Sequence, residues 1–294
     1  MQGGSGTRGG AWFVLAAAVL WGTTGTAATF APHAGPIAIG SAAMGIGGLL
    51  QALVAIRPLL RDAALLRARP GVLALGAVSV AVYPLAFYAG MHLAGVAVGT
   101  VVALASGPIF AAVLERAIDG VPLDRRWVTS AAFGIAGTVL LSADGAAGGG
   151  GQGPLGIALA LVAGASYALY TWAARRLMNA GAGSRSAMGA VFGIGGLLLV
   201  PVLVVTGGPF LSDARDLAVG GYMAIVPMFL GYLWFGAGLR TVAARTATVL
   251  TLAEPAVAAL LAWAVVGERL GVLGLCGIGL IGASLAVLSL PRRA

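Results

Sequence analysis

The sequence predicts an all-α membrane protein of ten transmembrane helices, built as two inverted five-helix repeats around a central cavity. Three observations predict it. The chain is 60% hydrophobic and 9% charged, with a mean hydropathy of +1.00. A soluble domain carries about 25% charged residues, so this composition suits lipid better than water. Ten apolar segments threaded alternately across a bilayer put 15 of the 17 arginines on one side. Finally, matching pieces of sequence recur at an offset of 146 to 148 residues.

The first apolar segment is Ala11–Ala28, after a polar, Gly-rich tail over 1–10. A cleaved signal peptide is the competing reading. Against it, the stretch before is weakly basic, and Trp21, Thr23, Thr24 and Thr26 stand where a cleavage site belongs. Nine further segments follow: Pro36–Ile56, Gly71–His92, Val96–Leu114, Trp127–Leu141, Pro154–Ala174, Ala187–Thr206, Leu217–Gly238, Ala247–Val266 and Gly271–Ser289. Domain bounds follow as 11–142 and 154–290 for the two repeats. A Gly-rich external linker over 143–153 joins them, and 291–294 is a short tail.

Charge sets the orientation. With the N-terminus in the cytoplasm, only Arg215 and Arg269 lie on the opposite side. That is the positive-inside bias, and it puts both termini in the cytoplasm of a cell inner membrane. The net charge of +8 does not indicate nucleic acid, because the arginines sit singly or in twos between apolar blocks. One cysteine, Cys276, excludes an internal disulfide and a multi-cysteine metal site. The 48 glycines suit helices that approach closely in lipid.

The repeat is read from several segments together. The hexapeptide GlyIleGlyGlyLeuLeu stands at 45–50 and again at 193–198. An offset of 147 pairs Val102 with Val249, Pro108 with Pro255, Ala112 with Ala259 and Gly120 with Gly267. Trp21 pairs with Tyr167 at 146. Half the chain holds five helices, an odd number, so the second copy enters the membrane upside down. Such inverted repeats underlie alternating access.

The stretch 247–268 is the centre of this pattern. Its ~20 apolar residues suffice to cross a hydrocarbon core of about 30 Å. Inside it stands Glu254, followed at once by Pro255. An acid at that depth is costly unless paired or protonated. Proline removes a backbone donor and breaks the i−4 bond. Interrupted helices near the midplane are where secondary transporters place substrate and ion sites.

These residues carry a family resemblance. LeuTrpGly at 20–22, SerGlyProIlePheAlaAla at 106–112, GluProAlaValAlaAlaLeuLeuAlaTrp at 254–263 and GlyGluArgLeu at 267–270 are similar to the EamA branch of the drug/metabolite transporter superfamily. The resemblance runs from Ala11 to Ser289. It implies two inverted five-helix repeats around a cavity, and movement, often export, of small metabolites such as amino acids. One departure is that the first copy has Gly120-Val121 where the second has Gly267-Glu268.

Candidate binding or coupling residues are Glu254, Trp21, Thr24, Tyr83, Phe87, Tyr167, Tyr170 and Trp234. Glu254 reads as a proton-coupling or amine-binding carboxylate; its structural alternative is a protonated side chain serving the backbone around Pro255. The equivalent place in the first copy is Gly107, so the acid is asymmetric. Tyr83, Phe87, Tyr88 and Met91 share helical spacing, as do Tyr232, Trp234 and Phe235, and Tyr167 with Tyr170. Aromatics at mid-depth suit a substrate pocket with cation–π contacts, or plain packing. Pro108 and Pro255 read as hinges, or as packing kinks. His33 and His92 fall near the external face, where solvation is expected and two lone histidines make no metal site. Gln51 reads as an interhelical hydrogen bond.

The letters of Gly277–Gly282 match a dinucleotide fingerprint, but no strand precedes them, so no cofactor is expected. Close helix packing, with a homodimer seam as one use, explains these glycines better. There is no Walker A sequence to drive transport with ATP, and no catalytic set that makes the chain an enzyme. Two functions remain open: a secondary transporter of a small molecule, or a non-transporting membrane scaffold.

Overall fold

The computed structural model describes residues 3–145, 153–267 and 271–289. Ten principal helices are present among the described residues. They are α1 (Gly3–Gly22), α2 (Pro36–Val54), α3 (Pro70–Ala94), α4 (Val96–Ala117) and α5 (Arg125–Gly145), then α6 (Pro154–Asn179), α7 (Ser184–Thr206), α8 (Ala214–Leu239), α9 (Ala244–Val265) and α10 (Val272–Ser289). Short helical turns lie between some of them. No strand occurs among the described residues. Eight of these helices, all but α5 and α10, are long and apolar enough to cross a membrane. The chain is an all-α, multi-pass membrane protein.

Several boundaries differ from expectation for physical reasons. α1 begins at Gly3, not Ala11, and Gly10 within it lies against Gly238 and Thr241 near the end of α8. α8 is not plain α-helix. It widens to a π-helix over Ala224–Leu230, around Pro227, whose missing N–H disturbs the regular ladder. Most of the expected linker, and Glu268, Arg269, Leu270, Arg292 and Arg293, lie outside the described residues.

Glycine sets how the helices cross. The two copies of the hexapeptide meet each other at the crossing of α2 and α7. A methyl on Gly196 would lie 2.6 Å from the Gly45 carbonyl oxygen, and one on Gly48 would strike the Phe192 carbonyl. Other contacts come in corresponding pairs. Gly47 abuts Ala224 and Met228 of α8, while Gly195, 148 residues on, abuts Ala77 and Val80 of α3. Gly10 meets Gly238, and Gly90 meets Gly156. Gly120 and Gly267 both take positive φ, 67° and 81°, at the ends of α4 and α9. α3 packs on α6 as α8 packs on α1, and α4 packs on α6 as α9 does on α1.

α5 and α10 cross at Gly137 and Gly277, each lying within 2.7 Å of where the other's methyl would be. Ser130 and Ser284 reinforce this crossing. Each hydroxyl donates to the other residue's carbonyl, at 2.8 and 2.7 Å. Gly277 is therefore committed inside the chain and not free for a dimer seam. Gly279 and Gly282 face open space.

Candidate functional site

The cavity is built from α1, α2, α3, α4, α6, α8 and α9. Trp21 ends α1 and is buried, with its indole N–H donating to the Pro227 carbonyl at 2.9 Å. That carbonyl belongs to the π-helical stretch of α8, so the irregular backbone has a fixed partner. The Trp21 ring lies 4.6 Å from Tyr232 and 5.2 Å from Phe235, and edge-on to Tyr167 at 6.5 Å. Thr24 follows, its hydroxyl donating to the Trp21 carbonyl at 2.7 Å. Tyr83 and Phe87 of α3 stack at 5.7 Å, and Tyr83 also meets Tyr167 and Tyr170 of α6. Tyr170 and Tyr232 share a hydrogen bond at 2.7 Å.

α9 breaks where its proline demands. Pro255 has no N–H for the Thr251 carbonyl, and Glu254 N–H donates to that carbonyl instead, at 2.9 Å. The α-helix stops at Leu250 and resumes at Ala253, leaving a tight turn at Thr251 and Leu252. The Thr251 hydroxyl shares a 2.7 Å hydrogen bond with Tyr167. By contrast, α4 runs unbroken through Pro108. The two equivalent prolines thus differ, and only Pro255 interrupts its helix.

Glu254 opens from this break into a cavity of about 60 Å³. Trp21, Thr24, Tyr83, Phe87, Tyr167 and Tyr170 line it too, with Tyr88, Met228 and Tyr232. Among the described residues no cation pairs with Glu254, and no basic side chain lines the cavity. Its polar company in the wall is mostly tyrosine, with Tyr83, Tyr88, Tyr167, Tyr170 and Tyr232 beside Thr24. The chamber is therefore neutral and aromatic with one acid in its wall. Gly107, the counterpart of Glu254, faces the Tyr167 ring, which a methyl there would meet at 3.0 Å.

Trp234 does not join them. It is exposed on the outer face of α8. Residues two apart on a helix point in nearly opposite directions, so with Tyr232 and Phe235 turned inward Trp234 must turn outward. Gln51 is buried and donates to the Phe229 carbonyl at 2.7 Å, the interhelical bond its position suggested.

At the arginine-rich end lies a separate vestibule of about 420 Å³, which shares no lining residue with the cavity. Its wall includes Glu115, whose carboxylate pairs with Arg245 at 3.3 Å, both buried. Arg245 also donates to the Pro122 carbonyl at 2.9 Å, and Trp127 donates to the Arg245 carbonyl at 3.1 Å. This knot joins α4, α5 and α9. Asp119 accepts from Trp172 at 2.7 Å and pairs with Arg176, joining α4 to α6. Neither knot was legible in the sequence, since each joins residues more than 50 positions apart.

The comparison with known proteins decides the family. The sequence profile of the EamA-like transporter family matches twice, over residues 8–143 and 154–290. The chain belongs to the EamA-like transporter family. A Bacillus subtilis (strain 168) protein named "Uncharacterized transporter YwfM" is 34% identical over 282 residues, covering 96% of this chain and 94% of that one. A Clostridium kluyveri protein named "Uncharacterized transporter" is 32% identical over 133 residues, covering 44% of this chain and 42% of its own length. A crystal structure shares the fold with a TM-score of 0.78 at 22% identity, covering 95% of this chain and 96% of that chain. This EamA-family chain is a membrane transporter.

Proposed function

We propose that this EamA-family protein is a secondary transporter that exports small amphipathic metabolites, with an amine group and an apolar body, across the cytoplasmic membrane. The observation that carries this is Glu254, a single acid beside a helix break in an aromatic, cation-free chamber. An ammonium group fits it on two counts. It neutralises the carboxylate, and the aromatic faces attract it by cation–π contact. A proton satisfies the same carboxylate when the substrate leaves, which couples export to proton entry.

The two halves, 11–142 and 154–290, act as inverted repeats with both termini in the cytoplasm. The corresponding glycine contacts and the double family match support this arrangement. The cavity of about 60 Å³ is far smaller than the ~300 Å³ or more of a usual small-molecule site. It has room for a few waters and must widen to take a metabolite. Widening it requires α1, α3, α6 and α8 to separate, a rearrangement that alternating access supplies.

The test is a solute panel in proteoliposomes under an imposed pH gradient. The expected result is proton-dependent movement of amine-bearing solutes that Glu254→Gln abolishes while the variant still inserts. Equal transport by Glu254→Gln at every pH removes Glu254 from the mechanism. No transport of any solute favours the scaffold function.

A further inference from the structure

We propose that His33, Asp213 and Asp216 form a binding site for a divalent first-row transition ion of the zinc class, on the face opposite the arginine-rich end. His33 lies in the loop before α2, and the two acids lie at the start of α8, 180 residues on. Their ligand atoms all fall within 4.8 Å of one another. The His33 Nδ1 is 3.6 Å from Asp216 Oδ2 and 3.9 Å from Asp213 Oδ2. Ligand atoms around a tetrahedral zinc, with bonds of about 2.0–2.1 Å, stand roughly 3.3 Å apart, so the group must draw together, by a few tenths of an ångström between His33 and Asp216 and by more between the other ligand atoms.

Asp216 supplies the independent observation. Its side chain is 0% exposed, and neither carboxylate oxygen has a hydrogen-bond partner. A buried carboxylate is stable only when a charge or donors meet it. Asp213 cannot help, because it is an acid too. Its Oδ1 is occupied in capping the helix, accepting from the backbone N–H groups of Arg215 and Asp216 at 2.8 and 3.0 Å. Its Oδ2 is left towards His33. Arg215 makes no ion pair with Asp216 among the described residues; its guanidinium lies 5.5 Å above the Phe30 ring. A protonated His33 is an incomplete answer, since 3.6 Å is beyond hydrogen-bond length. A cation seated among the three satisfies Asp216 directly. One imidazole nitrogen with two carboxylates suits zinc or manganese better than magnesium or calcium, which prefer all-oxygen sites.

The ion would tie the loop before α2 to the start of α8. Those elements come from different halves, so its binding resists their separation on that face.

The test is calorimetric titration of Zn²⁺ into chelator-treated, tag-free protein in detergent, with melting temperature read in parallel. The expected result is one Zn²⁺ per chain at micromolar affinity and a raised melting temperature. His33→Ala, in an exposed loop, weakens binding about tenfold or more and leaves the metal-free melting temperature unchanged. Asp216→Asn removes binding, and millimolar Mg²⁺ does not compete. Absence of saturable Zn²⁺ binding, equal binding by His33→Ala, or displacement by Mg²⁺ overturns the proposal.

Discussion

Glu254 is the only acid in the chamber wall, with no counter-ion among the described residues, and its neighbours are neutral rings. Replacing it by Gln keeps the shape and removes the charge, so transport falls on the order of tenfold or more and loses its pH dependence. Uptake and efflux in proteoliposomes across a pH series check this. Asp62 behaves differently because it lies in the loop between α2 and α3, outside the spans. A hydrogen bond from Arg61, then one from the Gly183 backbone N–H, holds its carboxyl down at about 2. The sign follows: the fold favours the charged form. Its stabilisation is full above an ordinary aspartate value of about 4 and fades as pH falls towards 2. Asp62→Asn therefore lowers the melting temperature at pH 7, and the gap to the unmodified protein closes below about pH 4. A gap that stays constant with pH contradicts the pairing. The sequence could not reveal Asp62's role, because its second partner is a backbone group 121 positions away.

The helix crossings are where sequence and structure meet most closely. Glycine repeats were visible as letters, and the fold makes them the crossing of α2 with α7. A methyl on Gly196 or Gly137 meets opposing backbone at 2.6 Å, so neither Ala variant fits without parting two helices. Each is expected to lose about 1–3 kcal/mol, read as a lower melting temperature in detergent. Gly282→Ala meets open space and should be neutral or slightly stabilising. The Glu115–Arg245 pair makes a second prediction for α4 and α9. Glu115→Ala strands a buried guanidinium and costs about 3–5 kcal/mol. Adding Arg245→Met should recover much of that loss in the same melting assay. Pattern reading put Tyr83 and Phe87, four residues apart, on one helix face, and both line the cavity. It grouped Trp234 with Tyr232, whereas Trp234, two residues on, turns outward. It also treated Pro108 and Pro255 alike, while only the turn at Thr251 and Leu252 breaks a helix.

At the scale of the molecule, composition and arginine placement were enough to read an all-α membrane protein. The reason is that lipid permits few architectures for so apolar a chain. What stayed hidden were pairings across the halves. Asp216 with His33 and Glu115 with Arg245 depend on how the helices are arranged, which no local pattern encodes. The cavity itself belongs to that class, because seven helices must converge before Glu254 has a chamber to face. The most direct measurement of that chamber is aqueous access at Ala43, which lines it on α2. With Cys276, exposed on α10, first replaced by serine, an Ala43→Cys variant is treated in sealed vesicles with a membrane-impermeant maleimide. The account predicts labelling at position 43 that a permeating amine solute slows. No labelling at position 43 from either side of the membrane would contradict it.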